Sequence, residues 1–399
     1  MFSTFKSEKS YQKLFIAGII NGIGDRFSQV ALMTIILQLT GSGLSVGITL
    51  AVRMLPYLFF GPLSSSIALK LSRKKLLIYT DLLRACIALS FLGINNTDDM
   101  WIIYVGSFLL ASGEALYAPT RSSSIPSIVE QANIKLINAW EQVLLGFVLI
   151  IGAFTGGFVS FLFGAKAAFF VNIFSFILAA AVIHTIPTLE AALDDNRDNQ
   201  TEKTKNTGLF AMIFSSSLLL LLVSFDLIVP VANGMENVLI SVYAVETFHA
   251  ADLGVGILYS VLGVGFVLSP LITKKINGNY LLIGIICLMA EGILLLIVSQ
   301  SKSFLLVVLL FGILTIFGGI SNTLLDTVIM KSIPLTYQGR FFGISTTIAN
   351  TVFGVSMFFT GLLLEYFHPR TMGLINGALY FFIGFLYFIW FKRIYRKGD

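Results

Sequence analysis

Residues 280–299 read YLLIGIICLMAEGILLLIVS, a run in which Glu291 carries the only charge. About twenty helical residues at about 1.5 Å each cross a hydrocarbon core about 30 Å thick, so this run predicts a membrane-spanning helix. Eleven further apolar segments of similar or greater length lie on either side of it in the chain. The twelve segments are 13–39, 44–69, 76–94, 101–119, 138–162, 167–187, 215–245, 252–272, 280–299, 303–329, 340–364 and 371–391.

Lys and Arg lie almost entirely on one side of these segments. If the N-terminus is placed inside, twenty of the 26 basic residues fall in inner segments, and only Lys166, Lys302 and Arg370 fall in outer loops. Cytoplasmic loops of membrane proteins are enriched in Lys and Arg, so both termini are expected in the cytoplasm. If one segment were wrongly assigned, every loop after it would change sides and the uneven distribution of Lys and Arg would be lost. The distribution therefore supports all twelve segments.

The composition excludes an ordinary soluble domain. Only 12% of the residues are charged and 56% are hydrophobic, whereas soluble domains carry about 25% charged residues. The positive net charge follows from the topology, so no nucleic-acid partner is expected. Cys86 and Cys287 lie inside spans as packing residues. No metal-ligand spacing, nucleophile arrangement or nucleotide-binding loop stands in the chain, so we expect no cofactor, no metal and no enzymatic activity.

A polar stretch, 188–209, divides the chain into two halves of six spans each. We interpret it as a cytoplasmic linker between an N-terminal bundle, 1–187, and a C-terminal bundle, 210–399. Short matches recur between the halves at a spacing that is constant to within one residue: 46–48 with 255–257 (VGI), and 124–126 with 332–334 (SIP). The sequence therefore predicts an all-α membrane protein of two pseudo-symmetric six-helix bundles.

Several motifs carry a resemblance to a known family. They are Asn21-Gly22-Ile23-Gly24-Asp25, Gly61-Pro62-Leu63 with Arg73-Lys74-Lys75, Pro119-Thr120-Arg121 in the loop after span 4, Gly152-Ala153-Phe154-Thr155-Gly156-Gly157, and Gln338-Gly339-Arg340. They resemble the major facilitator superfamily, and within it the drug:proton antiporters that include macrolide-efflux and enterobactin-exporter-like proteins. The resemblance covers the whole chain. Two positions depart from it: Leu69 stands where the family has an acidic latch residue, and Ala153 where it has proline.

Ionisable side chains inside the spans are the first candidates for chemistry, because each costs about 2.5–3.5 kcal/mol or more to insert. The candidates for proton coupling or for lining a substrate cavity are Asp25, Arg26, Arg53, Glu114, Asp226 and Glu291. Asp25 beside Arg26, with Arg53 on the next span, is the most suggestive local arrangement. It has two interpretations: a carboxylate that takes up a proton, or a structural ion pair between spans.

A second set of residues lies near the predicted cytoplasmic ends of the spans. The candidates for a cytoplasmic gate are Gly61, Arg73, Asp81, Arg84, Glu141, Asp326 and Arg340. The alternative for Asp81 and Arg84 is an interfacial pair that supports its own helix. A third set, Gly152, Gly156 and Gly157, is a helix-packing motif, since small residues let membrane helices approach closely.

These features favour a secondary active transporter of the cell membrane. We expect proton-coupled export of an amphipathic small molecule, such as a drug, macrolide or siderophore, by alternating access of the two halves. The alternatives are an importer, a facilitator or a lipid flippase of the same fold, and, more remotely, a membrane-embedded enzyme or receptor. The expected partners are the substrate, protons and the lipid bilayer, with no obligate protein partner.

Overall fold

The computed structural model describes residues 7–70, 72–130, 133–187, 212–333 and 335–396. Side chains within these ranges are not described at 58, 61–70, 126, 134–136, 138–139, 142, 330, 335–340, 342–344, 346 and 394–396. The predicted linker, 188–209, lies outside the described residues. Every regular element of the described chain is helical, which confirms the predicted all-α class.

Twelve long helical elements follow one another along the described chain. They are α1 (Lys9–Thr40), α2 (Gly43–Lys70), α3 (Arg73–Ser90), α4 (Met100–Ile128), α5 (Ile134–Phe147, a π-helical turn Val148–Gly152, and Ala153–Phe163), α6 (Ala165–His184), α7 (Ser217–Val242 with a π-helical turn Tyr243–Thr247), α8 (Ala251–Thr273), α9 (Tyr280–Gln300), α10 (Phe304–Ser332), α11 (Leu335–Leu364) and α12 (Pro369–Arg396). Ten of the described helices are long and apolar enough to cross a membrane. In α2, the part Gly43–Tyr57 forms a shorter apolar helix. The number of twelve spans therefore stays a prediction.

Local sequence signals set several of the helix ends. The Ser72 side chain accepts a hydrogen bond from the backbone of Lys75 at the start of α3, and Asn279 does the same for Leu282 at the start of α9. Gly41 ends α1 in the left-handed conformation that glycine adopts without strain, with φ of 57°. Gly164, with φ of 80°, makes the turn from α5 into α6.

One predicted loop is helical in the structure. The motif that begins at Pro119 was expected to follow span 4, but it lies inside α4, which continues to Ile128. At 29 residues, α4 is about 44 Å long at 1.5 Å per residue and exceeds the hydrocarbon thickness. The hydroxyls of Thr120 and Ser124 donate to backbone carbonyls of the preceding turn, so these polar side chains are satisfied within a helix.

The described chain divides into two compact units. Unit 1 comprises Met1–Ala192, Ile240–Gly263 and Met357–Tyr366, and unit 2 comprises Leu193–Leu239, Val264–Ser356 and Phe367–Asp399. In unit 1 the main helix pairs are α1 with α6, α2 with α4, and α3 with both α4 and α6. In unit 2 they are α9 with α12 and α9 with α10.

Glycines in unit 1 bring helix backbones into contact. A Cβ atom on Gly157 of α5 would lie 2.6 Å from the carbonyl oxygen of Asp252 and 3.0 Å from Cα of Gly256, both on α8. A Cβ on Gly156 would instead meet the backbone of Phe27 on α1, at 2.9 Å, and one on Gly152 would meet the side chain of Arg26. The glycines of α5 therefore face two different helices.

Candidate functional site

Arg84 of α3 is the centre of a buried cluster of charges in unit 1. Its side chain is only 1% exposed. One guanidinium nitrogen, Nη1, lies 2.8 Å from Oε2 of Glu114 on α4. The other, Nη2, lies 3.4 Å from Oδ1 of Asp25 on α1. A guanidinium removed from water is tolerated only when it is paired and hydrogen-bonded, and the three helices supply those partners together.

Small and aromatic residues make room for Arg84. Gly113 on α4 carries no side chain where the stem of Arg84 passes, and a Cβ there would lie 2.7 Å from Cγ of Arg84. The guanidinium lies over the ring of Phe176, 4.3 Å from its centroid, and 6.0 Å from the ring of Tyr117. These cation–π contacts add to the ion pairs in holding the charge inside the helix bundle.

Asp25 joins two arginines from different helices. Its Oδ2 lies 3.5 Å from Nη2 of Arg53 on α2, while its Oδ1 faces Arg84. Arg26, its neighbour in sequence, bonds instead to Gln29 on its own helix at 2.5 Å. Consecutive helical residues point about 100° apart, so Arg26 does not form an ion pair with Asp25, although its positive charge still acts on that carboxyl.

Asp81 is the most deeply buried acid of the cluster, with a side-chain exposure of 0%. Its Oδ1 accepts a hydrogen bond of 2.5 Å from the amide of Asn21, and it lies 3.9 Å from Arg84. The amide oxygen of Asn21 in turn accepts from Arg84 at 3.2 Å. Oδ2 of Asp81 makes no hydrogen bond with any described residue.

The charges of this cluster do not balance. Three carboxyl groups, on Asp25, Asp81 and Glu114, face two guanidinium groups, on Arg53 and Arg84. With every group ionised the cluster carries one negative charge in excess, and buried charge without a partner is costly. One additional proton would make these five groups neutral as a set.

The structure therefore regroups the residues singled out in the sequence. Asp25, Arg53 and Glu114 were expected to line a cavity, and Asp81 and Arg84 to act in a gate, yet all five lie in one cluster. Reasoning from the sequence missed Arg84 as its centre because the partners of this side chain come from α1 and α4, which only tertiary packing brings together.

The remaining gate candidates lie elsewhere. Arg73 donates to the backbone carbonyl of Ser123 at 2.6 Å, and Asp326 is exposed on α10. Gly61 and Arg340 lie outside the residues whose surroundings the structure describes.

Glu141 forms a separate pair near the predicted cytoplasmic end of α5. It accepts two hydrogen bonds from the guanidinium of Arg121, one of them at 3.1 Å, and one of 2.8 Å from the hydroxyl of Tyr11. Burial, and next the negative charge of Glu141, raises the pKa of Tyr11, so its hydroxyl stays protonated and donates. Arg121 of α4 therefore pairs with Glu141 of α5, one of the candidates for the cytoplasmic gate.

Unit 2 holds the other candidate acids. Asp226 accepts a hydrogen bond of 2.6 Å from Ser345, and Glu291 is buried on α9 with an exposure of 6%. A further acid, Glu236 on α7, is equally buried and was not singled out from the sequence. The sequence alone could have identified Glu236, because it is a carboxylate in the apolar run of α7 and an ionisable residue inside a span is a functional candidate by default. Among the described residues no His, Cys, Asp or Glu cluster fits a metal ion.

The chain is similar in sequence to known membrane transporters. The family model described as Major Facilitator Superfamily matches residues 14–357. The MFS-type transporter YfiS of Bacillus subtilis (strain 168) is 22% identical over 405 residues, covering 96% of this chain and 93% of that protein. Macrolide efflux protein A of Streptococcus pyogenes is 21% identical over 372 residues, covering 88% of each chain. These matches confirm the resemblance drawn from the sequence motifs.

Solved structures share the fold at low identity. The nucleoside transporter NupG superposes with a TM-score of 0.73 at 14% identity, covering 96% of this chain and 99% of that one. A bacterial homolog of the human lysosomal transporter Spinster, in an inward-facing and unoccupied conformation, gives 0.75 at 14% identity, covering 98% and 97%.

Proposed function

Because the chain belongs to the Major Facilitator Superfamily and is a multi-pass transporter of the cell membrane, we propose that it exports an amphipathic small molecule in exchange for protons. The observation that carries this proposal is the Arg84 cluster, the six residues Asn21, Asp25, Arg53, Asp81, Arg84 and Glu114. Its excess of one carboxylate over guanidinium groups favours the uptake of a proton, which the cluster would take from one side of the membrane and release on the other.

Glu114 carries the most exposed carboxyl of the cluster. Its side chain is 32% exposed, against 20% for Asp25 and 0% for Asp81, so the cluster is reached most easily at this end. Uptake of a proton by the cluster removes one negative charge and weakens the ion pairs of Arg84, which changes the contacts that join α3, α4 and α1.

The proposal places this exchange in an architecture of two six-helix halves. In it, residues 1–187 and 210–399 form bundles joined by a cytoplasmic linker at 188–209, with twelve spans and both termini inside. The uneven distribution of Lys and Arg supports the orientation. The packing of α3 on α6 and of α9 on α12 supports the repeat, since these helices occupy corresponding places in the two halves.

The proposed substrate class is that of an amphipathic drug, for which a macrolide is the first probe. The similarity to macrolide efflux protein A over 88% of the chain supports this choice. The gradient-driven direction is out of the cell, because inward proton flow supplies the free energy.

The test is transport in proteoliposomes of known orientation with an imposed pH gradient and radiolabelled erythromycin. Export that requires the gradient, and that stops when an ionophore collapses it, is the expected result. Transport that equilibrates erythromycin without regard to the gradient would identify a facilitator and contradict proton coupling. Gradient-driven movement in the same direction as protons would identify an importer.

A further inference from the structure

Two buried carboxyl groups lie near each other in unit 2, apart from the Arg84 cluster. Glu236 on α7 is 8% exposed and Glu291 on α9 is 6% exposed. Tyr380 of α12 links them in space: its hydroxyl oxygen lies 3.0 Å from Oε2 of Glu236, and its Cβ would lie 3.0 Å from a Cβ on Gly292, the residue that follows Glu291. Two like charges at close range inside a membrane protein repel each other with little screening by water, so full ionisation of both is strongly opposed.

No basic side chain of the described residues offsets these two acids. Among the described residues, no Lys, Arg or His forms an ion pair with either carboxyl. The carboxyl of Glu291 also accepts no hydrogen bond from any described side chain, and it lies against Gly318 of α10. The other titratable groups that face the pair are the hydroxyl of Tyr380 on α12 and the thiol of Cys287 on α9. Neither supplies a positive charge.

The hydrogen bonds of Tyr380 also favour a proton on one of the two carboxyls. Its hydroxyl oxygen, fully buried, lies 2.5 Å from Oδ1 of Asn233 and 3.0 Å from Oε2 of Glu236. A phenol has one hydrogen to donate. If that hydrogen goes to Asn233, the contact with Glu236 needs a hydrogen on the carboxyl. An ionised Glu236 would require the amide of Asn233 to turn its nitrogen toward the phenol.

The surrounding backbone holds the site in place. The amide of Asn376 on α12, oriented so that its nitrogen donates to the carbonyl of Ala232 and its oxygen accepts from the N–H of Glu236, ties α12 to α7 at 3.2 Å on each side. Gly292 and Gly377 let α9 and α12 touch, since a Cβ on Gly292 would lie 2.8 Å from the carbonyl of Gly377. Three helices thus fix the two acids and the phenol.

We propose that Glu236 and Glu291 form a second proton-binding site, in which the pair of carboxyls holds one proton beside the hydroxyl of Tyr380. The site differs from the Arg84 cluster because it holds no cation, so its charge changes between one negative charge and two. Only the further step, that this proton is a second coupling proton, rests on the proposed export function.

Infrared spectroscopy of the purified full-length protein in nanodiscs tests the site without substrate or gradient. The C=O stretch of a protonated carboxyl shifts on exchange into heavy water, and its intensity is followed against pH. The wild type and an exposed control variant, Glu130→Gln, are expected to share one such band at neutral pH that the double variant Glu236→Gln/Glu291→Gln lacks. Each single variant should lose its band at a lower pH, because the neighbouring negative charge no longer helps to hold the proton. An undiminished band in the double variant would overturn the proposal.

Two further measurements keep the result decisive. Tyr380→Phe removes only the hydroxyl, so the band should persist with a shifted frequency, and an unshifted band would count against the assigned geometry. The band should be the same in sodium chloride as in choline chloride. Loss of the band when sodium replaces choline would show a metal-cation site instead. Failure of gradient-driven erythromycin export would refute the proposed function and leave this band in place, so the two proposals fail separately.

Discussion

The guanidinium of Arg84 and the carboxylate of Glu114 lie 2.8 Å apart, one side chain buried and the other about one third exposed. This contact links the least accessible cation of the cluster to its most accessible anion. The contact therefore joins the exposed end of the cluster to Arg84, and through Arg84 to Asp25 and Asp81.

Removal of Arg84 is expected to destabilise the fold. Arg84→Gln leaves three carboxyls facing Arg53 alone, and breaking a buried pair by removing one partner costs about 3–5 kcal/mol. The melting temperature of the purified protein, measured by intrinsic fluorescence, should fall. Adding Glu114→Gln removes one of the uncompensated charges, so the double variant should recover part of the loss. A double variant that melts as low as Arg84→Gln would show that the two side chains are not coupled.

Asp25→Asn should uncouple export from the proton gradient. The amide cancels the negative charge that the cluster carries in excess, so the cluster no longer needs a proton. Substrate exchange down its own gradient should persist, while gradient-driven export should be lost. Stability should fall by less than the ~3–5 kcal/mol of a fully buried pair, since Arg84 keeps Glu114 as a partner. Asp98→Asn, in the exposed 3₁₀-helical turn Thr97–Asp99, is the matched control. Full gradient-driven export by Asp25→Asn would exclude a coupling role.

A methyl group at Gly113 should disturb Arg84. The Cβ of Gly113→Ala would lie 2.7 Å from Cγ and 2.9 Å from Cδ of Arg84, and the guanidinium is held at its far end by ion pairs. Overpacking of this kind costs about 1–3 kcal/mol, so both melting temperature and export should drop. Gly93→Ala is the control, because no atom lies within 4 Å of its Cβ position. Equal behaviour of the two variants would mean that Arg84 can move aside freely.

Gly157→Ala should separate α5 from α8. Its Cβ would meet backbone atoms of Asp252 and Gly256, and backbone cannot move aside as a flexible side chain can. We expect a lower melting temperature and a several-fold loss of export, with the same outcome for Gly256→Ala at the other side of the contact. Normal export in both alanine variants, again with Gly93→Ala as the reference, would show that close approach at this point is not needed.

The topology can be mapped with single cysteines. Once Cys86 and Cys287 have been replaced by serine, cysteines at Asn96 and Lys302 should react with an impermeant maleimide added to sealed cells. Both residues are exposed in the structure. A cysteine at Asn199 should react only after permeabilisation. External labelling at Asn199 would reverse the predicted orientation of the linker.

The described helices follow the predicted apolar segments, and ten of them are long and apolar enough to cross a membrane. Membrane insertion imposes a local rule: each helix needs about twenty apolar residues, and that count is read directly from the chain. Asp25 was identified because an ionisable residue stands out in an apolar span. Arg53 was named as its possible partner and lies 3.5 Å from it, but Arg84 on α3 was not named. Glu236 could have been found in the same way, whereas its contact with Tyr380, 144 residues away, is seen only in the structure.

The π-helical turn Val148–Gly152 gives α5 an adjustable register. Such a turn holds one residue more than the α-helical turn it replaces. Its conversion to α-helix would therefore turn the following part of α5 by about 100° and advance it by about 1.5 Å. Gly156 and Gly157 differ by one position and face different helices. The conversion would therefore place Gly156, which now faces α1, against α8. The contact surface of α5 would shift by one residue without any movement of the helix before the turn.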